Sequence, residues 1–575
     1  MTTGAAARRS QLLSTYGIGG LFPSETTSFM IVGLDDWKED RAPVISEPRL
    51  ARSLRVRELK SPPAGTARDV PVIRFPQTQV CPACRRIGSL FELAKDWNIA
   101  RCAQCKEKAL LTPFRLVVAC VRGHIDEFPY YRWLHKGQTG SGEKHEMSMA
   151  ALGKTSSLAD LVLKCTCGVP PKSLDGTFGP KALAEYIKCN GARPWLGADS
   201  KQDCIETPRV LQRGASNVWF PAVRSAISIP PYSEALSKFV DKHWISLQDP
   251  DAVTQRLLEN IAAASHGKFI VEQIVAEIER RRGAEEEDDV TEDALRRQEF
   301  GALLDGREED GIESDFVCLP VELAGDLPAI ITNVRKVTRL REVRALYGFS
   351  RLDGVSELGA DGLCELSQNQ KHWLPAIEVI GEGVFAAFDR DALTTWANKA
   401  FAQGRRKLLQ RAANRQAAEF GREEATKVDI VKVALHTFAH VLIDQLSLDA
   451  GYPAAALRER LFVDDDMAGV LIYTASSDSA GSLGGVASQA DSEKFALAVR
   501  EGLTRLSWCS ADPVCVESTA SGSDALNLAA CHACVLVPET SCEMNNTYLD
   551  RALLFGTHEK DQETEGLFSH AVAAW

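Results

Sequence analysis

The sequence lacks the features that would place it in several large functional classes. It has no apolar run near 18 residues, and no N-terminal basic stretch followed by an apolar one and small residues. These absences argue against a membrane-spanning protein and against a secreted one. The motif G-x-x-x-x-G-K-[ST] does not occur in the sequence, which argues against an autonomous P-loop ATPase.

An excess of positive charge is also missing. The chain has 66 Lys and Arg against 78 Asp and Glu, a net charge of −12. This balance argues against a surface coated uniformly for nucleic acid, although it leaves local basic patches possible. The hydrophobic share of 45% is ordinary for a globular protein, and 575 residues are too many for one core. We therefore expect a multidomain, cytoplasmic protein.

Cysteines are concentrated in two segments, 81–204 and 509–542, which contain all but two of the 16. In the cytosol thiols stay reduced and available to zinc. The first segment opens with Cys81-x-x-Cys84 and Cys102-x-x-Cys105, two pairs at a zinc-ribbon interval. Two such pairs place four sulfurs about 2.3 Å from one ion and close its coordination. The spacing therefore predicts a structural zinc site at these four cysteines.

A second site is predicted later in the same segment, with more candidate ligands than coordination positions. The pair Cys165-x-Cys167 supplies two sulfurs, and Cys189 with Cys204 can complete a tetrahedron across a longer loop. Cys120 and His124 compete for membership of this site, which the sequence alone leaves open.

The C-terminal segment offers five cysteines for four coordination positions. These are Cys509, Cys515, Cys531, Cys534 and Cys542. We favour Cys531, Cys534 and Cys542, with either Cys509 or Cys515 as the fourth ligand. The isolated Cys318 and Cys364 are expected in the core, because a free cysteine behaves as a small apolar residue.

The pattern along the chain predicts a multidomain α+β protein, with a zinc-stapled N-terminal half, a helical middle and a C-terminal α/β zinc-binding domain. The expected regions are an N-terminal strand-and-turn segment (1–66), a cysteine-rich zinc-binding region (67–229), a largely helical middle with an acidic loop near 283–292 (230–427), and the C-terminal domain (428–575). Helices are expected over 392–420, 428–448 and 492–506, and a buried strand over 469–474.

Two histidines, His436 and His440, lie four residues apart, which places them on one face of a helix. A zinc-protease helix needs a glutamate after the first histidine, but Thr437 occupies that position. We interpret the pair as hydrogen-bonded inside its domain. The alternative is a metal-dependent nuclease that uses both histidines and Asp478.

Two stretches are predicted as basic helices that can neutralise phosphates without reading sequence. One carries Arg335, Lys336, Arg339, Arg341 and Arg344, and the other carries Arg405, Arg406, Lys407, Arg411 and Arg415. The competing interpretation of both stretches is a solvated or salt-bridged face.

Several motifs together resemble known families. In the C-terminal region, 435–440 (LHTFAH), 481–485 (GSLGG), Cys531-x-x-Cys534 and 538–543 (PETSCE) resemble the zinc-binding domain at the ends of MrfA-type repair helicases. Upstream, 9–11 (RSQ), 213–217 (RGASN) and 341–349 (REVRALYGF) are similar to the DrmB family, a component of the DISARM anti-phage defence system.

This resemblance implies a zinc-binding defence subunit that acts beside a DrmA-like superfamily 2 helicase ATPase and reaches DNA through their complex. It implies Zn²⁺ as the cofactor and supplies no catalytic residues. We therefore expect a subunit that is not an enzyme, with no membrane contact and no small-molecule substrate. The alternatives are a nuclease or other hydrolase, and an assembly scaffold that never contacts DNA.

Overall fold

The computed structural model describes residues 7–24, 27–66, 68–95, 100–137, 145–152, 157–285, 290–308, 313–355, 362–419, 424–474, 485–522, 526–558 and 565–575. The chain forms two compact units that alternate along the sequence. Unit 1 comprises Met1–Ile45, Leu54–Ser225 and Arg344–Ile377, and unit 2 comprises Ser46–Ser53, Ala226–Val343 and Glu378–Trp575. Helices and strands occur in both units, which confirms the α+β class.

Unit 1 is built mainly from short strands. A three-stranded sheet has the order Leu21–Pro23, Ser28–Ile31 and Val72–Arg74. A second three-stranded sheet has the order Ile125–Glu127, Leu116–Ala119 and Arg209–Gln212. The largest sheet has six strands, in the order Lys172–Ser173, Leu161–Cys165, Met147–Ala151, Arg86–Ser89, Thr78–Val80 and Thr112–Pro113. Val44–Ile45 pairs with Glu58–Lys60. The described α-helices are Gln11–Ser14, Leu90–Ala94 and Tyr130–Leu134. Several of these strands share an apolar core that includes Leu116, Val118 and Leu163, whereas few apolar residues are buried around 81–111.

Unit 2 has longer helices packed on a sheet. The helices are Pro48–Ser53, Ala235–Lys242, Trp244–Leu247, Gln255–Ala264, Val271–Glu285, Glu292–Asp305, Arg390–Ala397, Ala400–Glu419, Ile430–Ala450, Ser492–Leu506, Ala552–Phe555 and Ser569–Ala574. The sheet contains Phe316–Pro320, the 331–343 and 378–388 parts of two long strands, Ala468–Thr474 and Leu457–Val463. A fold of this type buries one apolar helix face against the sheet.

The helix Ile430–Ala450 occupies the core of unit 2. Its N-terminus is capped by Asp429, whose carboxylate accepts from the backbone N–H groups of Val431 and Lys432. Gly451 ends it in the left-handed region at φ 71°. Because the sequence between these caps is apolar on nearly every side, the helix is buried along most of its length. The helices predicted over 428–448 and 492–506 and the strand predicted over 469–474 are all present.

The prediction of a basic helix over 335–344 is wrong, because these residues lie in a strand. The strand Ile331–Ser350 buries Ile331, Val334, Val337, Leu340 and Val343. This spacing of three imitates a helix, but the stretch is rich in β-branched residues and pairs antiparallel with Phe316–Pro320 across a register shift. The middle region is therefore less helical than predicted, since Trp373–Phe388 is a second long strand.

Among the described residues, no helix combines the length and apolar character that crossing a bilayer requires. Two sequence features, Asp478 and positions 481–484 of the 481–485 segment, lie outside the described residues, as do 286–289 of the acidic stretch.

Candidate metal sites

The Cys81 cluster consists of Cys81, Cys84, Cys102 and Cys105, and it lies in unit 1. The first pair sits on the turn between the strands Thr78–Val80 and Arg86–Ser89. The Sγ atoms of Cys81 and Cys105 are 3.8 Å apart, and those of Cys84 and Cys102 are also 3.8 Å apart. The structure thus brings together the quartet that the spacing predicts.

Backbone N–H groups point at the sulfurs of this cluster. The amide of Cys84 donates to Cys81 Sγ over 3.4 Å, and the amide of Gln104 donates to Cys102 Sγ over 3.4 Å. Such donors favour the thiolate over the thiol. Burial raises the pKa of Cys102 to about 12, so without a cation the four thiols cannot all ionise.

The Cys120 cluster, also in unit 1, consists of Cys120, His124, Cys189 and Cys204. Cys120 and His124 flank a turn between two paired strands, in which Gly123 adopts φ 75°. The Nδ1 atom of His124 lies 3.4 Å from Cys120 Sγ and 3.6 Å from Cys189 Sγ, and the sulfurs of Cys120 and Cys204 are 3.9 Å apart.

The second ring nitrogen of His124 fixes its tautomer. Nε2 lies 3.1 Å from the side-chain oxygen of Gln202, so Nε2–H donates there and leaves the Nδ1 lone pair facing the sulfurs. A hydrogen bond with Cys189 lowers the pKa of Cys120 to about 4, and the same contact raises the pKa of Cys189. The pair therefore retains a proton that a bound cation would displace.

The His135 cluster consists of His135, His145, Cys165 and Cys167 in unit 1. His135 follows the helix Tyr130–Leu134, and its Nδ1–H donates to Tyr131 O over 2.8 Å. This leaves His135 Nε2 facing Cys167 Sγ at 3.3 Å, while His145 Nδ1 lies 3.2 Å from Cys165 Sγ. Cys167 is exposed, unlike the other members.

The Cys509 cluster consists of Cys509, Cys515, Cys531 and Cys534 in unit 2. Sulfur–sulfur distances are 3.5 Å from Cys509 to Cys531, 3.7 Å from Cys515 to Cys534 and 3.6 Å from Cys531 to Cys534. The amide of Cys531 donates to Cys534 Sγ over 3.2 Å. The segment carrying these cysteines follows directly on the helix Ser492–Leu506.

The donor geometry of these clusters fits zinc and not disulfides. A disulfide needs sulfurs about 2.0 Å apart, whereas sulfurs bound about 2.3 Å from one tetrahedral zinc ion lie about 3.8 Å from each other. The measured separations run from 3.5 to 3.9 Å. Two clusters offer four sulfurs, one offers three sulfurs and one imidazole, and one offers two of each. All three donor sets are those of structural zinc sites.

The structure redistributes the ligands predicted for the second and the C-terminal sites. Cys165 and Cys167 do not lie with Cys189 and Cys204; the four cysteines divide between the His135 and Cys120 clusters. In the C-terminal region both Cys509 and Cys515 join Cys531 and Cys534, while Cys542 lies elsewhere. His135 and His145 were not among the predicted ligands. Their signal was their position, within the cysteine-rich segment, in a chain with only 11 histidines.

Most of the basic residues considered for DNA contact are bound inside unit 2. Arg341, with a side chain 4% exposed, pairs with Glu378 and donates to Ser46 O and Ser228 Oγ. Further contacts are Lys336 with Asp491 at 2.8 Å, Arg339 with Asp315 at 3.4 Å, Arg335 with Leu304 O, Arg405 with Asp550 at 2.6 Å, and Arg406 with Gln403 at 3.0 Å. Arg344 is half-buried, whereas Lys407 and Arg411 are exposed.

Cys318 and Cys364 are both buried in the core, outside the clusters. Burial raises the pKa of each thiol to about 12. This agrees with their interpretation as apolar packing residues.

A curated relative from Bacillus paralicheniformis, named DISARM protein DrmB, is 32% identical over 562 residues, which cover 93% of this chain and 97% of the relative. The chain belongs to the DrmB family. The MrfA Zn-binding domain matches residues 438–535, which contain the whole Cys509 cluster. Zinc is accordingly the cofactor of this DrmB-family chain.

A domain of unknown function, DUF8724, matches residues 8–220. This range contains the Cys81, Cys120 and His135 clusters. Together the two matches assign the cysteine-rich segments of the DrmB-family chain to different domain families, one in each half of the sequence.

Proposed function

We propose that this chain is a non-catalytic, zinc-binding subunit of a DISARM-type defence complex. Membership of the DrmB family supports the defence role, because the relative is named as a DISARM protein. The observation that carries the structural role is the group of four cysteine-rich clusters with tetrahedral spacing. In each cluster four side chains fill the coordination of one ion, and a closed site holds structure without an open position for chemistry.

The proposed zinc ligands are the members of the four clusters. They are Cys81, Cys84, Cys102 and Cys105; Cys120, His124, Cys189 and Cys204; His135, His145, Cys165 and Cys167; and Cys509, Cys515, Cys531 and Cys534. Bound zinc would fix the relative positions of the strands and turns that carry these ligands, and at the Cys81 cluster it would do so where few apolar residues are buried.

The proposed partner is a DrmA-like superfamily 2 helicase ATPase, which supplies the ATP hydrolysis that this chain has no Walker motif to perform. The C-terminal resemblance to MrfA-type repair helicases supports this assignment. The chain would then shape or extend the surface along which the partner holds invading DNA.

We place the DNA-facing surface on the helix Ala400–Glu419. Lys407, Arg411 and Arg415 are exposed and four residues apart, so they form one basic stripe. The opposite side of the helix buries Leu409, Ala412 and Ala413. A stripe of this kind binds phosphates through charge, which makes binding salt-dependent and insensitive to sequence.

The test is DNA binding by the purified complex of this chain with its helicase-like partner. The variant Lys407→Gln/Arg411→Gln/Arg415→Gln should weaken binding equally for unrelated sequences. The slope of log K against log salt should shrink by about 0.9 for each phosphate that the variant no longer neutralises. The matched control is Lys242→Gln/Arg256→Gln/Lys268→Gln, which removes the same charge from exposed positions elsewhere in unit 2.

Equal affinity and equal salt slope for both triple variants and the unmodified complex would contradict the DNA-facing stripe. That result would favour the assembly scaffold without DNA contact. A nuclease centred on His436 and His440 is disfavoured, because both side chains are 0% exposed and DNA cannot reach them.

A further inference from the structure

A fifth group of metal-type donors lies in the core of unit 2. His436 and His440 come from the helix Ile430–Ala450, Glu459 from the strand Leu457–Val463, and Cys542 from the segment after 539–541. The first three are 0% exposed and Cys542 is 5% exposed. We call this group the His436 cluster. Four ionisable side chains placed together in an apolar core need a compensating interaction.

The ligand atoms of the His436 cluster converge on one point. Glu459 Oε1 lies 3.2 Å from His436 Nε2, and Glu459 Oε2 lies 3.6 Å from His440 Nε2. His436 Nε2 is 3.1 Å from Cys542 Sγ. Ligands held about 2.0 to 2.3 Å from a tetrahedral zinc ion are separated by about 3.3 to 3.8 Å. The separations in the cluster, 3.1 to 3.6 Å, are at or slightly below that range, and all four ligand atoms lie within 4.8 Å of one another.

Both imidazoles are oriented by backbone carbonyls on their far side. His440 Nδ1 lies 2.7 Å from Val535 O, and His436 Nδ1 lies 3.4 Å from Tyr548 O. A carbonyl only accepts, so the proton sits on Nδ1 and the Nε2 lone pair faces the centre. A histidine that donates its outer N–H to a carbonyl while its inner nitrogen faces the site is the usual arrangement of a metal ligand.

Two polar atoms at the centre are buried without a hydrogen-bond partner among the described residues. They are His440 Nε2 and Glu459 Oε2, whose separation of 3.6 Å is too long for a hydrogen bond. With both Nε2 atoms unprotonated, the two nitrogen lone pairs face the Glu459 carboxylate and repel it. A cation at the centre would accept all of these lone pairs as ligands and so remove the repulsion.

The anionic members are prepared by backbone donors. The amides of Met544 and Asn546 donate to Cys542 Sγ over 3.3 and 3.2 Å, contacts that stabilise the sulfur once its proton has been lost to a bound cation. The amide of Glu543 donates to Glu459 Oε1 over 2.9 Å. One thiolate, one carboxylate and two neutral imidazoles carry a charge of −2, which a divalent cation balances.

We propose that His436, His440, Glu459 and Cys542 bind one zinc ion in a closed, buried site that is separate from the Cys509 cluster. On binding, Cys542 releases its thiol proton to solvent and the imidazoles stay neutral. Nitrogen, oxygen and sulfur donors together suit zinc, whose coordination has no electronic preference for one geometry. The matched MrfA Zn-binding segment, 438–535, ends before Cys542 and begins after His436.

The site joins three segments that are distant in sequence. The histidines fix the face of the core helix, Glu459 fixes a sheet strand, and Cys542 fixes the segment that follows the Cys509 cluster. The two histidines and the carboxylate alone would resemble a hydrolytic zinc site, but Cys542 takes the position that a reactive water needs. The role is therefore structural.

The test is the zinc content of the full-length chain, measured by native mass spectrometry and by elemental analysis. Cys542→Ala should carry one zinc ion fewer per chain than the unmodified protein. Cys318→Ala, which alters another buried cysteine of unit 2 outside the clusters, should carry the same number. Because the readout is a difference, it does not depend on how many of the other four sites are filled.

A second variant keeps the test decisive where Cys542→Ala does not fold. In Glu459→Gln the amide can donate to His440 Nε2 and satisfy the buried nitrogen without metal, so this chain should fold and also lack one zinc ion. An unchanged zinc content in Glu459→Gln would overturn the proposal, and so would an unchanged content in a folded Cys542→Ala. Either result would assign the cluster to a proton-linked histidine–glutamate network.

Discussion

The Cys81 cluster of unit 1 and the core helix of unit 2 stabilise their surroundings by different means. Around the cluster the buried residues are few, and two of them are ligands: Cys81, Leu90, Leu93, Ala94, Cys102 and Leu111. The helix Ile430–Ala450 instead lies in an extensive apolar core that includes Leu435, Phe438 and Leu442. The difference teaches that metal at the Cys81 cluster takes the place of apolar burial, whereas metal in unit 2 is added to it.

The largest expected effect follows from removing a ligand in unit 1. Cys84→Ser should release zinc from the Cys81 cluster, and amide hydrogen exchange over 78–112 should approach that of an unfolded chain. The reason is that structural zinc contributes on the order of 10 kcal/mol to such sites. Exchange in the helix Ile430–Ala450 should stay slow, as it should everywhere in the control Cys318→Ala. Unchanged protection over 78–112 would break the comparison.

A buried ion pair in unit 2 tests how much that unit depends on interactions inside its core and not on metal. Arg460 donates to Glu299 over 2.7 and 2.8 Å, and both side chains are essentially unexposed. Glu299→Gln removes the carboxylate that pairs most closely with the guanidinium and leaves Glu342, at 3.9 Å, as a more distant partner. It should lower the free energy of unfolding of unit 2 by about 3 kcal/mol. Denaturant unfolding followed by hydrogen exchange measures it.

The control for this prediction is the double variant Glu299→Leu/Arg460→Met. It removes both charges and should recover most of the stability, because the burial penalty disappears with them. If the single and the double variants were equally unstable, apolar packing and not the ion pair would explain the effect.

A buried arginine gives the corresponding test in unit 1. Arg351 donates to the carbonyls of Gly19, Gly123 and Val218 over 2.7, 2.9 and 2.6 Å. Arg351→Met leaves three carbonyls unsatisfied and should cost about 3 kcal/mol of local unfolding free energy, about 1 kcal/mol for each bond. Hydrogen exchange over 116–127 reports the change. Arg351→Lys should be intermediate, since an ammonium cannot span all three carbonyls; wild-type protection in Arg351→Met would contradict this account.

The smallest effect is expected at the cap of the core helix. Asp429→Ala removes the acceptor for two backbone N–H groups and should cost about 1 kcal/mol of unfolding free energy in unit 2. Asp429→Asn keeps the acceptor and should cost less. A decrease as large as that of Glu299→Gln would mean that the helix depends on its cap more than on its apolar core.

Local motifs could be predicted from the sequence, and tertiary assemblies could not. The Cys81 cluster follows from two C-x-x-C turns, each within one short segment, so spacing alone specifies it. The Cys120 cluster joins residues up to 84 positions apart, and only the fold decides that Cys189 lies with His124. The division of Cys165, Cys167, Cys189 and Cys204 between the His135 and Cys120 clusters could not be predicted for the same reason.

The middle of the chain shows the limit of periodicity. Apolar residues three apart between Ile331 and Val343 suggest a helix, but β-branched side chains and pairing with Phe316–Pro320 produce a strand. For the histidine pair, the prediction of one helix face is confirmed. Glu459 carried no signal in the sequence, because a lone glutamate in an apolar strand acquires meaning only from what faces it.

Zinc bound at several sites stabilises this protein, and native mass spectrometry of the full chain tests this most directly. The difference between the native mass and the denatured polypeptide mass counts the bound ions. The account predicts four zinc ions from the cysteine-rich clusters and a fifth from the His436 cluster. A native mass equal to that of the polypeptide, or one that allows a single zinc ion, would contradict it.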